Sequence, residues 1–246
     1  MQLSQVSDAV SSVTDRLTTI SPQPPVWVVI ATAAVAAAVV VYRPVWRVLR
    51  TCVTIAHEIG HAVVALCTGR TLSGIRLHSD TSGVTVSRGK PRGFGMVLTT
   101  LAGYPAPSAV GLGFAILLGT GRQTLMLWIL IAALVILILV IRNLFGFLAV
   151  ICAGGAAFAV SWYGDAVWQG VFGYAVTWFL LFGGLRAVIE LWQVSVRGDG
   201  SDADQLAWLT RIPARLWVVV FGLLTVAALV IGGGALLGIR FGDMHG

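Results

Sequence analysis

His57, Glu58 and His61 stand in the order H-E-x-x-H inside the apolar stretch Thr51 to Cys67. Residues four apart share one face of a helix, so a single turn would bring both imidazoles to one Zn²⁺. The carboxylate between them would then reach the water on that ion, the arrangement needed to hydrolyse an amide. The chain holds four His and only two Glu, which leaves little room for accident. Three adjacent ionisable groups in an apolar stretch are costly unless something partners them.

A catalytic zinc takes three protein ligands and keeps a fourth position open, so one ion per chain requires a companion for His57 and His61. If four spans separate the motif helix from the last polar loop, residues 193–212, that loop returns to the membrane face that carries the motif's own polar link. There Ser201-Asp202-Ala203-Asp204 reads as a helix start, with Ser201 as cap and acidic residues in the first turn. Asp202 is the expected third ligand, with Asp204, Asp199 and Glu190 as alternatives; the competing reading is that the first two only complement the helix dipole. Asp165 falls on the opposite face. His78 and His245 read as a loop and a tail residue.

The elements that must position these groups lie in a membrane. Of 246 residues, 57% are hydrophobic and 11% charged, far from the quarter or so of charged residues in an ordinary soluble domain. Seven apolar segments can be counted, namely Val26 to Tyr42, Thr51 to Cys67, Phe94 to Leu118, Thr124 to Ile141, Leu144 to Tyr163, Val167 to Leu185 and Leu216 to Leu237. The expected fold is therefore an all-α polytopic membrane protein of about six or seven transmembrane helices. Residues 26–240 form a single membrane domain, after a tail at 1–25 in which Val6, Val10, Val13, Leu17 and Ile20 suggest an interfacial amphipathic helix, retained rather than cleaved. The net charge of +6 comes from Arg residues between apolar runs, which act on topology and do not imply nucleic acid. Cys52, Cys67 and Cys152 lack C-x-x-C spacing and read as small core residues.

Two interruptions stand out. Pro105 and Pro107 should kink or unwind the third segment, and irregular backbone at that depth must line protein or a cavity. The polar link 68–93 places apolar residues on both sides of the turn-like Ser79-Asp80-Thr81-Ser82-Gly83, which predicts a β-hairpin directly after the motif helix. Its edge would hold an extended peptide through main-chain hydrogen bonds. Arg70, Arg76, Arg88, Lys90 and Arg92 favour a cytoplasmic hairpin, whereas Arg43, Arg47 and Arg50, read as a link between spans, argue the opposite. Arg142-Asn143 reads as a tight turn.

Thr54 to Val63, set in a polytopic chain, resembles the site-2 protease family of intramembrane zinc metallopeptidases, in a compact bacterial branch. The likeness extends to Ser82-Gly83-Val84-Thr85, Ala102-Gly103-Tyr104-Pro105, Arg142-Asn143-Leu144-Phe145-Gly146 and Ser201-Asp202-Ala203. The resemblance implies zinc ligands His57 and His61, Glu58 as catalytic acid/base, a carboxylate ligand from a later segment, and substrate contacts from Ser82, Gly83 and Asn143. It also implies a multi-pass protein of the bacterial cell membrane whose partners are the lipid bilayer and a membrane protein or peptide substrate. The chain departs from the family's N-x-x-P…L-D-G signature, because Asn143 lacks the proline and Asp202 lies well downstream. The rival functions are a membrane zinc carrier or sensor, and an inactive scaffold.

Overall fold

A computed structural model describes residues 20–194 and 200–239. The amphipathic N-terminal segment up to Thr19, Asp199 and His245 lie outside the described residues. The order is α1 (Val26–Val41), α2 (Arg43–Cys67), β1 (Thr71–Leu77), β2 (Gly83–Arg88), α3 (Phe94–Leu101), α4 (Ala106–Gly119), α5 (Gln123–Val140), α6 (Leu144–Tyr163), α7 (Ala166–Val194), α8 (Asp202–Thr210) and α9 (Ala214–Leu236).

Among the described residues four helices, α5, α6, α7 and α9, are each long and apolar enough to cross a membrane, and up to six spans result if α1–α2 and α3–α4 each count as one. Both pairs are sharply bent, by 102° and 68°. The first bend follows from Pro44, which lacks an N–H and would clash with the carbonyl four residues back if α1 continued. It is accommodated instead in the first turn of α2, where no donor is needed. The Arg43 to Arg50 stretch is thus no link between spans: it forms the first two turns of the helix that carries His57 and His61. The second bend is the expected break at Pro105 and Pro107, with Ala102-Gly103-Tyr104-Pro105 between the two helices.

α2 closes in a Schellman motif. Gly69 takes φ 73°, its N–H reaches the Leu66 carbonyl at 3.0 Å, and Arg70 N–H reaches Ala65 at 2.9 Å. The chain is thereby turned straight into the antiparallel hairpin, paired from Thr71 with Arg88 to Leu77 with Gly83. β1 has a second neighbour on its other edge: Ile141 bridges Ile75, and Arg142 N–H donates to the Ile75 carbonyl at 2.9 Å. Arg142-Asn143 is accordingly a turn between α5 and α6 that also seals one side of the sheet.

Five buried apolar clusters hold the described residues together, and three of them position the site. Val29 and Ala36 of α1, Ala115 and Leu118 of α4, Tyr174 and Leu181 of α7, and Ala228 and Leu236 of α9 form one. In lipid such helices associate through close packing rather than hydrophobic burial, and Gly111 and Gly232 face Leu181 where a larger residue would push the backbones apart. Ile75 and Leu77 of β1 pack with Ile55 and Ala62 of α2, Leu134 and Leu137 of α5, and Val150 of α6, fixing the hairpin against the motif helix. Ala203 and Leu206 of α8 pack with Val188, Leu191, Val218 and Phe221. The three cysteines are free, and contrary to expectation Cys67 and Cys152 are exposed rather than in the core.

Candidate metal centre

His57 and His61 lie one turn apart on α2, and their Nε2 atoms approach to 3.0 Å. Asp202, the first residue of α8, places Oδ2 at 3.3 Å from His57 Nε2 and 3.2 Å from His61 Nε2. Among the described residues this is the one group of His, Cys, Asp or Glu whose ligand atoms converge. Its edges match a metal site: zinc bonded to nitrogen at about 2.0–2.1 Å in a tetrahedron separates its ligand atoms by roughly 3.3 Å.

The hydrogen bonding also calls for a cation. His61 Nδ1 lies 2.7 Å from the Thr99 carbonyl, which can only accept, so Nδ1 carries a proton and Nε2 is the nitrogen left to bind a metal. Asp202 Oδ2 is buried and has no aligned hydrogen-bond donor, an orphaned acceptor 3.2 Å from His61 Nε2. One carboxylate oxygen and two imidazole nitrogens thus converge, a donor set that suits Zn²⁺.

Packing explains why Asp202 points inward and Asp204 does not. Ser201 Oγ accepts from Asp204 N–H at 3.3 Å and Asp204 Oδ2 accepts from Ser201 N–H at 3.0 Å, a reciprocal capping box that occupies Asp204. Buried Ala203 and Leu206 then set the roll of the helix. The other carboxylates are likewise engaged elsewhere. Glu190 pairs with Arg186 at 2.9 Å and Arg50 at 3.6 Å, and Asp165 accepts from Val167 and Trp168 N–H at the start of α7.

Glu58 is 3% exposed and stands apart from the triangle, on the side of the hairpin. The Thr85 hydroxyl donates to its Oε2 at 2.6 Å. Gly83 rests on the same carboxylate so closely that a Cβ there would sit 2.5 Å from Oε1. Gly103, in the break between α3 and α4, approaches the other side, where a Cβ would lie 2.5 Å from His61 Nε2 and 2.6 Å from Asp202 Oδ2. Tyr104 meets the His57 ring edge-on at 4.9 Å and stacks on Phe221 at 5.3 Å, buttressing the imidazole.

Of the residues the sequence singled out, His57, Glu58, His61, Asp202 and Gly83 come together. Ser82 does not join them: its hydroxyl serves Asp80 at 2.7 Å, a contact that with the Ser82 N–H lowers the Asp80 carboxyl. Asn143 is occupied by the main chain of Leu77, accepting from its N–H at 3.1 Å and donating to its carbonyl. Thr85, quoted only within Ser82-Gly83-Val84-Thr85, was given no role, and Thr99 was missed: a threonine suits any strand, and Thr99 acts through its carbonyl.

A cleft of about 770 Å³ runs from Tyr104 and Ser201 along α2 to Arg43, with the hairpin turn and α7 as its other walls. The family model described as Peptidase M50B-like matches residues 30–232. No curated protein and no solved structure matches the chain.

Proposed function

The chain belongs to the Peptidase M50B-like family, that of the site-2 proteases, and from that premise we propose an intramembrane zinc metalloendopeptidase acting on membrane-embedded or membrane-proximal substrates. The observation that carries this reading is the buried, donorless Asp202 Oδ2 facing two imidazole nitrogens. His57 Nε2, His61 Nε2 and Asp202 Oδ2 hold the metal, and the Thr99 carbonyl orients His61. When bound, zinc supplies Lewis acidity, polarising a peptide carbonyl and bringing the pKa of water toward about 7. Glu58 takes the proton from the attacking water and returns it to the leaving amine. The Thr85 hydroxyl donates to Glu58 Oε2 at 2.6 Å and so fixes the position of the carboxylate.

The hairpin supplies a place for an extended chain. His78 N–H donates to the Ser82 carbonyl, so by alternation Gly83 and Thr85 turn their main-chain groups away from β1, toward an open edge next to Glu58. A substrate strand added there would be unwound before cleavage. A zinc carrier or sensor has no need of a carboxylate held by Thr85 beside the ligands, which favours hydrolysis.

Metal analysis of the detergent-purified protein, with cleavage assays on single-span substrates, tests the proposal. We expect one zinc per chain in wild type and Glu58→Gln, and little in His57→Ala or Asp202→Ala. Glu58→Gln should cut turnover by about 10²–10⁴-fold; undiminished turnover rejects Glu58 as the base, and a wild type that takes up no metal rejects the whole reading.

A further inference from the structure

The helix that carries His57 and His61 begins with three arginines at a telling spacing. Arg43, Arg47, Arg50, Thr54, His57 and His61 follow one another at steps of four and three, and such residues share one helix face. At about 1.5 Å rise per residue, Arg50 lies roughly 10 Å, Arg47 about 15 Å and Arg43 about 21 Å from His57 along the axis. All three line the cleft that ends at Tyr104, the residue in contact with the His57 ring.

The charges in this cleft do not cancel. Glu190 is shared by Arg186 and Arg50 and also accepts from Trp46 Nε1 at 2.8 Å, while the Arg186 guanidinium lies over the Trp46 ring at 4.6 Å. Asp80 is engaged by the Ser82 hydroxyl and N–H. Arg43 and Arg47 are exposed and have no acidic partner among the described residues. Nor do they lie on the lipid-like side of α2, for Val48, Val63 and Leu66, each more than half exposed, occupy the opposite face. The uncompensated charge is thus directed into a concave passage walled by α2, the hairpin turn and α7, and that passage leads to the ligands.

We propose that this face of α2 is a binding track for acidic residues of the peptide substrate, selecting chains with Asp or Glu near the scissile bond. The inference rests on the peptidase reading and adds a substrate class to it. An extended peptide advances about 3.3 Å per residue, so Arg47 and Arg43 would meet side chains about five and about six residues from the cleaved bond. Guanidinium groups suit this task because they hold carboxylates in two parallel hydrogen bonds. Thr54 donates its hydroxyl to the Thr81 carbonyl at 2.8 Å and so closes the hairpin turn over the middle of the track.

Binding can be read without cleavage, using full-length Glu58→Gln protein in uncharged detergent and three fluorescein-labelled fourteen-residue peptides. These share an apolar centre and differ only in flanking Glu, Gln or Lys. The expected anisotropy titrations show the Glu peptide bound at least fivefold more tightly than the Gln peptide, with the preference shrinking in high salt as exposed charge pairs do. Adding Arg43→Gln and Arg47→Gln should reduce the preference to within twofold at unchanged zinc content, whereas Arg122→Gln, away from the cleft, should preserve it. Equal affinity for Glu and Gln peptides overturns the proposal, as does a preference that survives the double substitution, or no binding of any peptide. A gain on phosphatidylglycerol over phosphatidylcholine vesicles that the double substitution removes, without any peptide preference, would reassign the arginines to lipid headgroups. Zinc content and cleavage, measured separately, decide the metallopeptidase reading by itself.

Discussion

At the level of single residues, the centre depends as much on what is missing as on what is present. Gly103 leaves room for the ligand atoms to meet, and a methyl group there would stand 2.5 Å from His61 Nε2. Contacts that short force the neighbours to move, so Gly103→Ala should weaken zinc affinity by at least about tenfold, a range typical of losing support around a metal site; competition against a chelating dye measures it. Thr85 has the complementary role, since its hydroxyl reaches Glu58 and no ligand atom. Thr85→Val should therefore leave zinc content intact and lower kcat by about tenfold, with Thr85→Ser restoring most of it. A matching loss of metal in Thr85→Val would mean that the hydroxyl supports the fold of the site, not the base.

Among the secondary-structure elements, α8 shows how a nine-residue helix can aim one side chain. Its capping box consumes Ser201 and Asp204, and its buried Ala203 and Leu206 fix the remaining rotation, leaving Asp202 turned to α2. Ser201→Ala removes one half of the box, which costs about 1 kcal/mol at a helix start. The expected result is a lower Tm and, more diagnostically, weaker zinc binding although no ligand has been changed; unchanged affinity would show that packing alone orients Asp202. The hairpin presents the same economy. β1 is sealed by Ile141 and Asn143, so that the open edge is left to β2, the strand touching Glu58.

Across the whole molecule, the ligands join segments that lie far apart in the chain: α2 near its start and α8 near its end. A metal bound only in the folded state stabilises by mass action, about 2.7 kcal/mol at a hundred times its Kd. Wild-type Tm should rise with added zinc and fall on chelation, while Asp202→Ala should respond little to either; equal responses would place the stabilising ion elsewhere. The outer surface agrees with a lipid surrounding, with Ile136, Leu139, Tyr163 and Leu223 all largely exposed on α5, α6 and α9.

The histidine pair, the carboxylate beside it, the hairpin and the Pro-broken segment were all legible in the amino-acid order, because each is a local pattern written over a few residues. Local spacing sets helix faces and turns without help from the rest of the chain. The reason that Asp202 rather than Asp204 turns inward, the occupation of Asn143 by Leu77, and the support from Thr85 and Thr99 were not, since each depends on which surfaces distant segments bury together. The continuity of α2 through Arg43, Arg47 and Arg50 belongs to the same class. Charged residues in an apolar chain read as a loop until folding provides a polar cleft for them, and only the packing of α2, the hairpin and α7 creates one.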